Sequence, residues 1–311
     1  MELKSDEIWE VFNGAKSFDE FQKNILKQVY IKPQVPEDII SEIQIIEKLL
    51  LHSYFEYHFI DLALSQSIFT LEKCIRIRYS EITGKPSKKL SFAELIDWCF
   101  DNTYFETANK DILNQLRNIR NGKVHSEQKS LGGMAFLQKV YSVFYLINDL
   151  YEDSTLRIIR KNEIENLQKD LNDFLKNGGI IDHNGKRTII FKADIVFLDN
   201  KSTANTLSLV VWPIFDPEPY RNDRHFKPYS FEIQIKDWKL NADSFIGLNS
   251  IDNSEISFLM ITDDNNKEKF NRWRDEFYSL KDFSLILFLT YDLNDNFYNA
   301  LGKFHTIPHT A

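Results

Sequence analysis

The segment LRNIRNGKVH, residues 116 to 125, crowds Arg117, Arg120, Lys123 and His125 into ten residues of an acidic chain. An imidazole can move protons near neutral pH, and a guanidinium offers a phosphate a planar fork of donors. RNA carries its own nucleophile, the ribose 2′-hydroxyl, so proton transfer and fixed positive charge suffice to cleave it without a metal ion. The segment therefore predicts chemistry on an RNA phosphodiester.

The spacing of Arg120 and His125 limits how they can work together. Five residues of an unbroken helix turn through roughly 500°, which leaves the two side chains about 140° apart around the axis. Gly122, a costly residue inside a helix, could distort the segment locally and bring them together. Otherwise a two-fold dimer would place two copies of each residue around one axis. Both routes stay open.

The run Arg120-Asn121-Gly122-Lys123-Val124-His125 resembles the Arg-x4–6-His motif, often beginning Arg-Asn, of HEPN domains. The similarity covers about residues 37–151 and includes their antiparallel helical pattern. It implies a four-helix-bundle-like fold and the metal-independent endoribonuclease activity of toxin–antitoxin, abortive-infection and other antiviral systems. It also implies a homodimer, because the active site of this family is typically composed from two copies of the motif.

The resemblance assigns roles to individual residues. Arg120 and His125 would be catalytic, and Asn121 would support them. Arg117 and Lys123 are not positions of the motif, and their positive charge suits them to contact RNA. The resemblance implies RNA as substrate, a second copy of the chain as partner through the helical domain, and an antitoxin or trigger protein as a further partner. Neither a cofactor nor a metal ion is expected.

Two other functions fit this sequence. In the first, Arg120 and His125 belong to a solvated or ion-paired helix face, and the domain is a non-catalytic HEPN-like module that binds a nucleotide or a partner. In the second, the C-terminal half is a metal-dependent nuclease. There, Asp194 precedes a strand-like run in which Glu232, Gln234 and Lys236 alternate onto one face, although a solvent-exposed strand face gives the same pattern.

Composition and charge bound these functions. A formal net charge of -8 over 311 residues disfavours a protein that coats nucleic acid non-specifically. Residues 73–89, however, contain six Lys and Arg against one acid, so their packing beside 110–129 would create a positive groove. The two cysteines, Cys74 and Cys99, are expected in the core, which indicates a reducing compartment. The sequence predicts no membrane segment and a cytoplasmic location.

The first part of the chain, residues 1–177, has a helical pattern throughout. Apolar residues recur with a period near 3.6 over 37–82, a length that predicts a break near His52–Tyr57. Ser91 has the position of an N-cap, and Glu94 would complete its capping box.

After Gly179 the pattern changes to β-branched and aromatic runs separated by Asn, Asp, Gly and Pro. One helical segment interrupts these runs. This pattern predicts an α+β domain over 180–311 with a mostly antiparallel sheet. The two domains would then be a HEPN-like helical bundle at 1–177 and a sensor, regulatory or partner-binding domain at 180–311.

Overall fold

The protein consists of a helical region followed by a region of strands. The computed structural model describes residues 4–13, 15–27, 29–105, 110–124, 133–199, 205–215, 230–279 and 296. Packing divides the chain into two compact units, Met1–Arg157 and Ile158–Ala311. None of the described helices combines the length and the apolar character that a membrane crossing requires.

The described residues form eight helices before the first strand. They are α1 (Glu7–Asn13), α2 (Phe18–Asn24), α3 (Glu37–His52), α4 (Phe59–Thr83), α5 (Phe92–Asp101), α6 (Lys110–Val124), α7 (Gly133–Leu150) and α8 (Ser154–Phe174). The predicted break is confirmed, because α3 ends at His52 and α4 begins at Phe59. The predicted capping box is confirmed as well: Ser91 accepts from the backbone N–H of Glu94, and the Glu94 carboxylate accepts from that of Ser91.

Helix α4 is the centre of the first unit. It packs against α3, α5, α6 and α7, and one face of it, which includes Ile68, Leu71 and Ile75, is almost completely buried. Cys74 and Cys99 are also fully buried, as predicted. Burial raises the pKa of both thiols, so neither is a nucleophile at neutral pH.

The prediction of an α+β domain after residue 180 is wrong. Six strands pair antiparallel in sequence order, and β1 also pairs with β6, so that the sheet closes into a barrel. The strands are β1 (Gly179–His183), β2 (Lys186–Asp199), β3 (Thr206–Pro213), β4 (Phe231–Leu240), β5 (Ser244–Asn249) and β6 (Glu255–Met260). Register shifts within β2 and β4 mark bulges, which bend strands and permit closure.

One apolar cluster fills the barrel unit. It joins strand residues to the end of α8 and includes Leu171, Phe174, Ile190, Ala193, Leu209, Ile235, Phe245 and Phe258. A further helix, α9 (Asp264–Ser279), contributes Phe270 to a smaller cluster that contains Ile180. Gly178 links α8 to β1 with φ +76, and a Cβ there would lie 2.6 Å from the Phe270 ring. Glycine is therefore required where the chain changes from helix to strand.

Candidate functional site

Helix α6 carries the residues of the predicted motif. Leu113 and Leu116 are fully buried and fix one face of this helix against its neighbours. The helix continues through Gly122 to Val124. His125 lies outside the described residues, as does the side chain of Lys123.

Arg120 approaches the buried carboxylate of Glu72 on α4. Its Nε atom lies 3.4 Å from Oε2 of Glu72, and the two side chains expose 29% and 10% of their surface respectively. Nε is buried and donates no hydrogen bond, so the contact is an electrostatic one. Nη1 of Arg120 donates to Oδ1 of Asn121 at 3.4 Å. Nη2 of Arg120 donates to none of the residues that the structure describes.

Glu72 also binds Arg76, one turn later on α4. Oε1 of Glu72 accepts from Nε of Arg76 at 3.2 Å and from Nη2 at 2.6 Å. One carboxylate thus lies between two guanidiniums and neutralises only one of them. Removing this carboxylate would leave two positive charges close together in a poorly solvated place, so Glu72 holds the pair in position.

Arg76 in turn fixes the basic connection between α4 and α5. Its Nη1 donates to the carbonyl oxygen of Ser87 at 2.7 Å, and its Nη2 donates to that of Leu90 at 2.9 Å. Lys88 and Lys89 lie between these two residues and are exposed. Their ammonium groups form no ion pair with any residue that the structure describes.

We call the surface formed by Arg76, Lys88, Lys89, Arg117 and Arg120 the basic face. Arg117 is half-exposed, lies one turn before Arg120 on α6, and has no ion-pair partner in the described part of the chain. Two of its five cations, Arg76 and Arg120, contact the carboxylate of Glu72. The two cation-rich segments of the sequence therefore do pack side by side, through α4 and α6.

Glu72 is a site residue that the sequence reasoning missed. Its role could have been predicted in part from the sequence. Glu72 is an acid among the apolar positions Ile68, Leu71 and Ile75, and it lies four residues before Arg76. An i to i+4 pair of this kind predicts a salt bridge on the helix. The contact between Glu72 and Arg120 could not be predicted from the sequence, because it joins two helices whose packing the sequence pattern does not specify.

The two carboxylates of the alternative metal site lie on strands that are not neighbours. Asp194 of β2 pairs with Val210 of β3, which pairs with Glu232 of β4, so a whole strand separates the two carboxylates. Two interstrand spacings place the backbones of Asp194 and Glu232 about 10 Å apart. Asp194 instead forms an ion pair with Lys192 at 2.8 Å.

Glu232, Gln234 and Lys236 do alternate along β4, and Gln234 donates to Glu232 at 3.3 Å. Within the described ranges, no group of three His, Cys, Asp or Glu residues is arranged to hold a metal ion. The second domain thus offers no built metal centre in the part that the structure describes.

Comparison with family models, characterised proteins and solved structures finds no match to this chain. The resemblance of residues 37–151 to HEPN domains therefore stays a prediction from the sequence.

Proposed function

We propose that the helical unit binds RNA along the basic face and cleaves it without a metal ion. Arg120 binds the scissile phosphate, His125 transfers protons, and Asn121 orients the substrate. Arg117 and Lys123 contact neighbouring phosphates. A homodimer composes the site from two copies of the motif, and the chain acts in defence or growth arrest under the control of a trigger or antitoxin.

The observation that carries this proposal is the setting of Arg120. Its Nε side is held by Glu72, a carboxylate that is itself fixed by Arg76, while Nη2 has no acceptor among the described residues. A guanidinium positioned in this way costs little reorganisation when it binds a phosphate oxygen. Lys88, Lys89 and Arg117 add positive charge beside it, as recognition of a polyanion requires.

The reaction follows from these groups. His125 accepts the proton of the ribose 2′-hydroxyl as this oxygen attacks the adjacent phosphorus, and Arg120 stabilises the negative charge that develops on the phosphoryl oxygens. The bond from phosphorus to the 5′ oxygen breaks, and the leaving oxygen takes up the proton that His125 accepted from the 2′-hydroxyl. The products are one strand that ends in a 2′,3′-cyclic phosphate and another that begins with a 5′-hydroxyl.

A cleavage assay in EDTA tests the proposal. Purified full-length protein should cut single-stranded RNA, and Arg120→Ala and His125→Ala should each slow cutting by about 100-fold or more, in line with the loss of a phosphate-binding or proton-transfer group. Glu232→Ala serves as the matched control and should cut normally. Activity that requires a divalent metal ion and depends on Glu232 would contradict the proposal.

A second function is favoured by one observation. Arg120 and Arg76 both pair with the buried Glu72, which is also what a purely structural ion-pair network requires. The basic face would then bind RNA or a nucleotide without cutting it. In that case the protein retains labelled RNA in a filter-binding assay but leaves it intact, and His125→Ala changes neither result.

A further inference from the structure

A cavity of about 290 Å³ lies in the helical unit, between the residues after α2, helix α3 and helix α7. Five apolar side chains line it: Leu26, Val29, Leu50, Leu51 and Phe144. Its size approaches the lower end of the range for small-molecule sites, about 300 to 1,000 Å³, and such sites combine apolar walls with a few polar groups. None of these residues belongs to the basic face.

The carboxyl group of Glu47 is the polar feature that distinguishes this cavity. Glu47 lies on α3, one turn before Leu50 and Leu51, and it lines the same space. It has neither a hydrogen-bond nor an ion-pair partner among the residues that the structure describes. Burial raises the pKa of this carboxyl group. A carboxylate in such surroundings is costly unless a cation approaches it.

Lys27 and Tyr141 define the opposite side. The backbone N–H of Lys27 donates to the hydroxyl oxygen of Tyr141 at 2.8 Å, which ties the residues after α2 to α7. Lys27 also lines the cavity.

We propose that this cavity binds a small organic cation, a primary amine on an apolar body. The ammonium group pairs with the Glu47 carboxylate, and the apolar body lies between Leu50, Leu51 and Phe144. The ion pair forms next to apolar walls, where a charge-assisted hydrogen bond is about twice as strong as one between neutral groups. This site does not depend on the proposed RNA cleavage, and it provides a means by which a small molecule could act on the helical unit.

Three ligands of nearly equal shape but different charge show whether binding depends on the charge of the ligand or only on its shape. Isothermal titration of the full chain at neutral pH would compare 2-phenylethylamine, 2-phenylethanol and phenylacetate. We expect the amine to bind at least tenfold more tightly than the alcohol, and phenylacetate not to bind. In Glu47→Gln the amine should lose this tenfold preference, whereas Glu37→Gln, an exposed acid on the same helix, should retain it.

A second variant locates the site. Leu51→Trp fills the cavity and should abolish binding of both the amine and the alcohol, while circular dichroism verifies that the helices are intact. The proposal is overturned if the amine fails to bind, if it binds no better than the alcohol, or if its binding survives either Glu47→Gln or Leu51→Trp unchanged. RNA cleavage plays no part in these readouts, so the two proposals fail independently.

Discussion

Substitution of Glu72 by Gln probes the network that holds Arg120. Removing one partner of a buried ion pair costs roughly 3–5 kcal/mol. Here Arg76 and Arg120 expose 27% and 29% of their side chains, so water screens part of their repulsion. The Gln side chain also keeps an acceptor for Arg76. We therefore expect Glu72→Gln to lower the free energy of unfolding of the helical unit by about 2 kcal/mol.

The assay is urea unfolding followed by far-UV circular dichroism, with thermal unfolding in parallel. For a domain of this size, 2 kcal/mol corresponds to a fall in Tm of about 4–8 °C. Glu81→Gln is the matched control, because Glu81 forms an exposed pair with Arg78 on the same helix. Exposed pairs contribute about 0.3–0.5 kcal/mol.

A double-mutant cycle assigns the effect to the contact with Arg120. Arg120→Gln leaves Glu72 paired with Arg76, so alone it should cost less than Glu72→Gln. The double variant should be less destabilised than the sum of the two single variants, because the residues are in contact. If Glu72→Gln costs no more than Glu81→Gln, or if the two substitutions are additive, Glu72 does not hold Arg120 in position.

Two further predictions concern the barrel and the basic face. In chemical unfolding, Gly178→Ala should destabilise the barrel unit by about 1–3 kcal/mol more than Gly185→Ala does. Both glycines have a positive φ, but only Gly178 lies against the Phe270 ring. Equal losses of stability would show that the contact with Phe270 does not require glycine at residue 178. The slope of log K for RNA binding against log salt concentration should become about 1.4 less steep when Lys88 and Lys89 are both replaced by Ala. This is the change expected for the loss of two phosphate contacts to single-stranded RNA. An unchanged slope would mean that these lysines do not touch RNA.

The helical half could be predicted in some detail because its determinants are local. The break between α3 and α4, and the capping box of Ser91 and Glu94, depend on residues close in sequence. The packing of α4 beside α6 could be stated only as a condition, because nothing local in either helix specifies its neighbour. Glu72 illustrates both cases: its pair with Arg76 is local, whereas its contact with Arg120 required the three-dimensional arrangement.

The barrel was missed for the same physical reason. Alternating apolar residues identify a strand but not the strand that it pairs with. Closure depends on the register of Gly179 with Met260, two residues at opposite ends of the sheet in sequence. It also depends on bulges, which sequence patterns do not place. Sequence patterns therefore did not show that β3 lies between Asp194 on β2 and Glu232 on β4.

An RNA with a single 2′-deoxy nucleotide gives the sharpest test of metal-independent cleavage by the helical unit. We predict that the wild-type protein in EDTA cuts the all-ribose oligonucleotide to a 2′,3′-cyclic phosphate and a 5′-hydroxyl. The same oligonucleotide with a 2′-deoxy substitution at the cut site should stay intact at that position, and His125→Ala should cut neither. Cleavage of the deoxy-substituted bond, products with 5′-phosphates, or the absence of any cleavage in EDTA would contradict the proposed function.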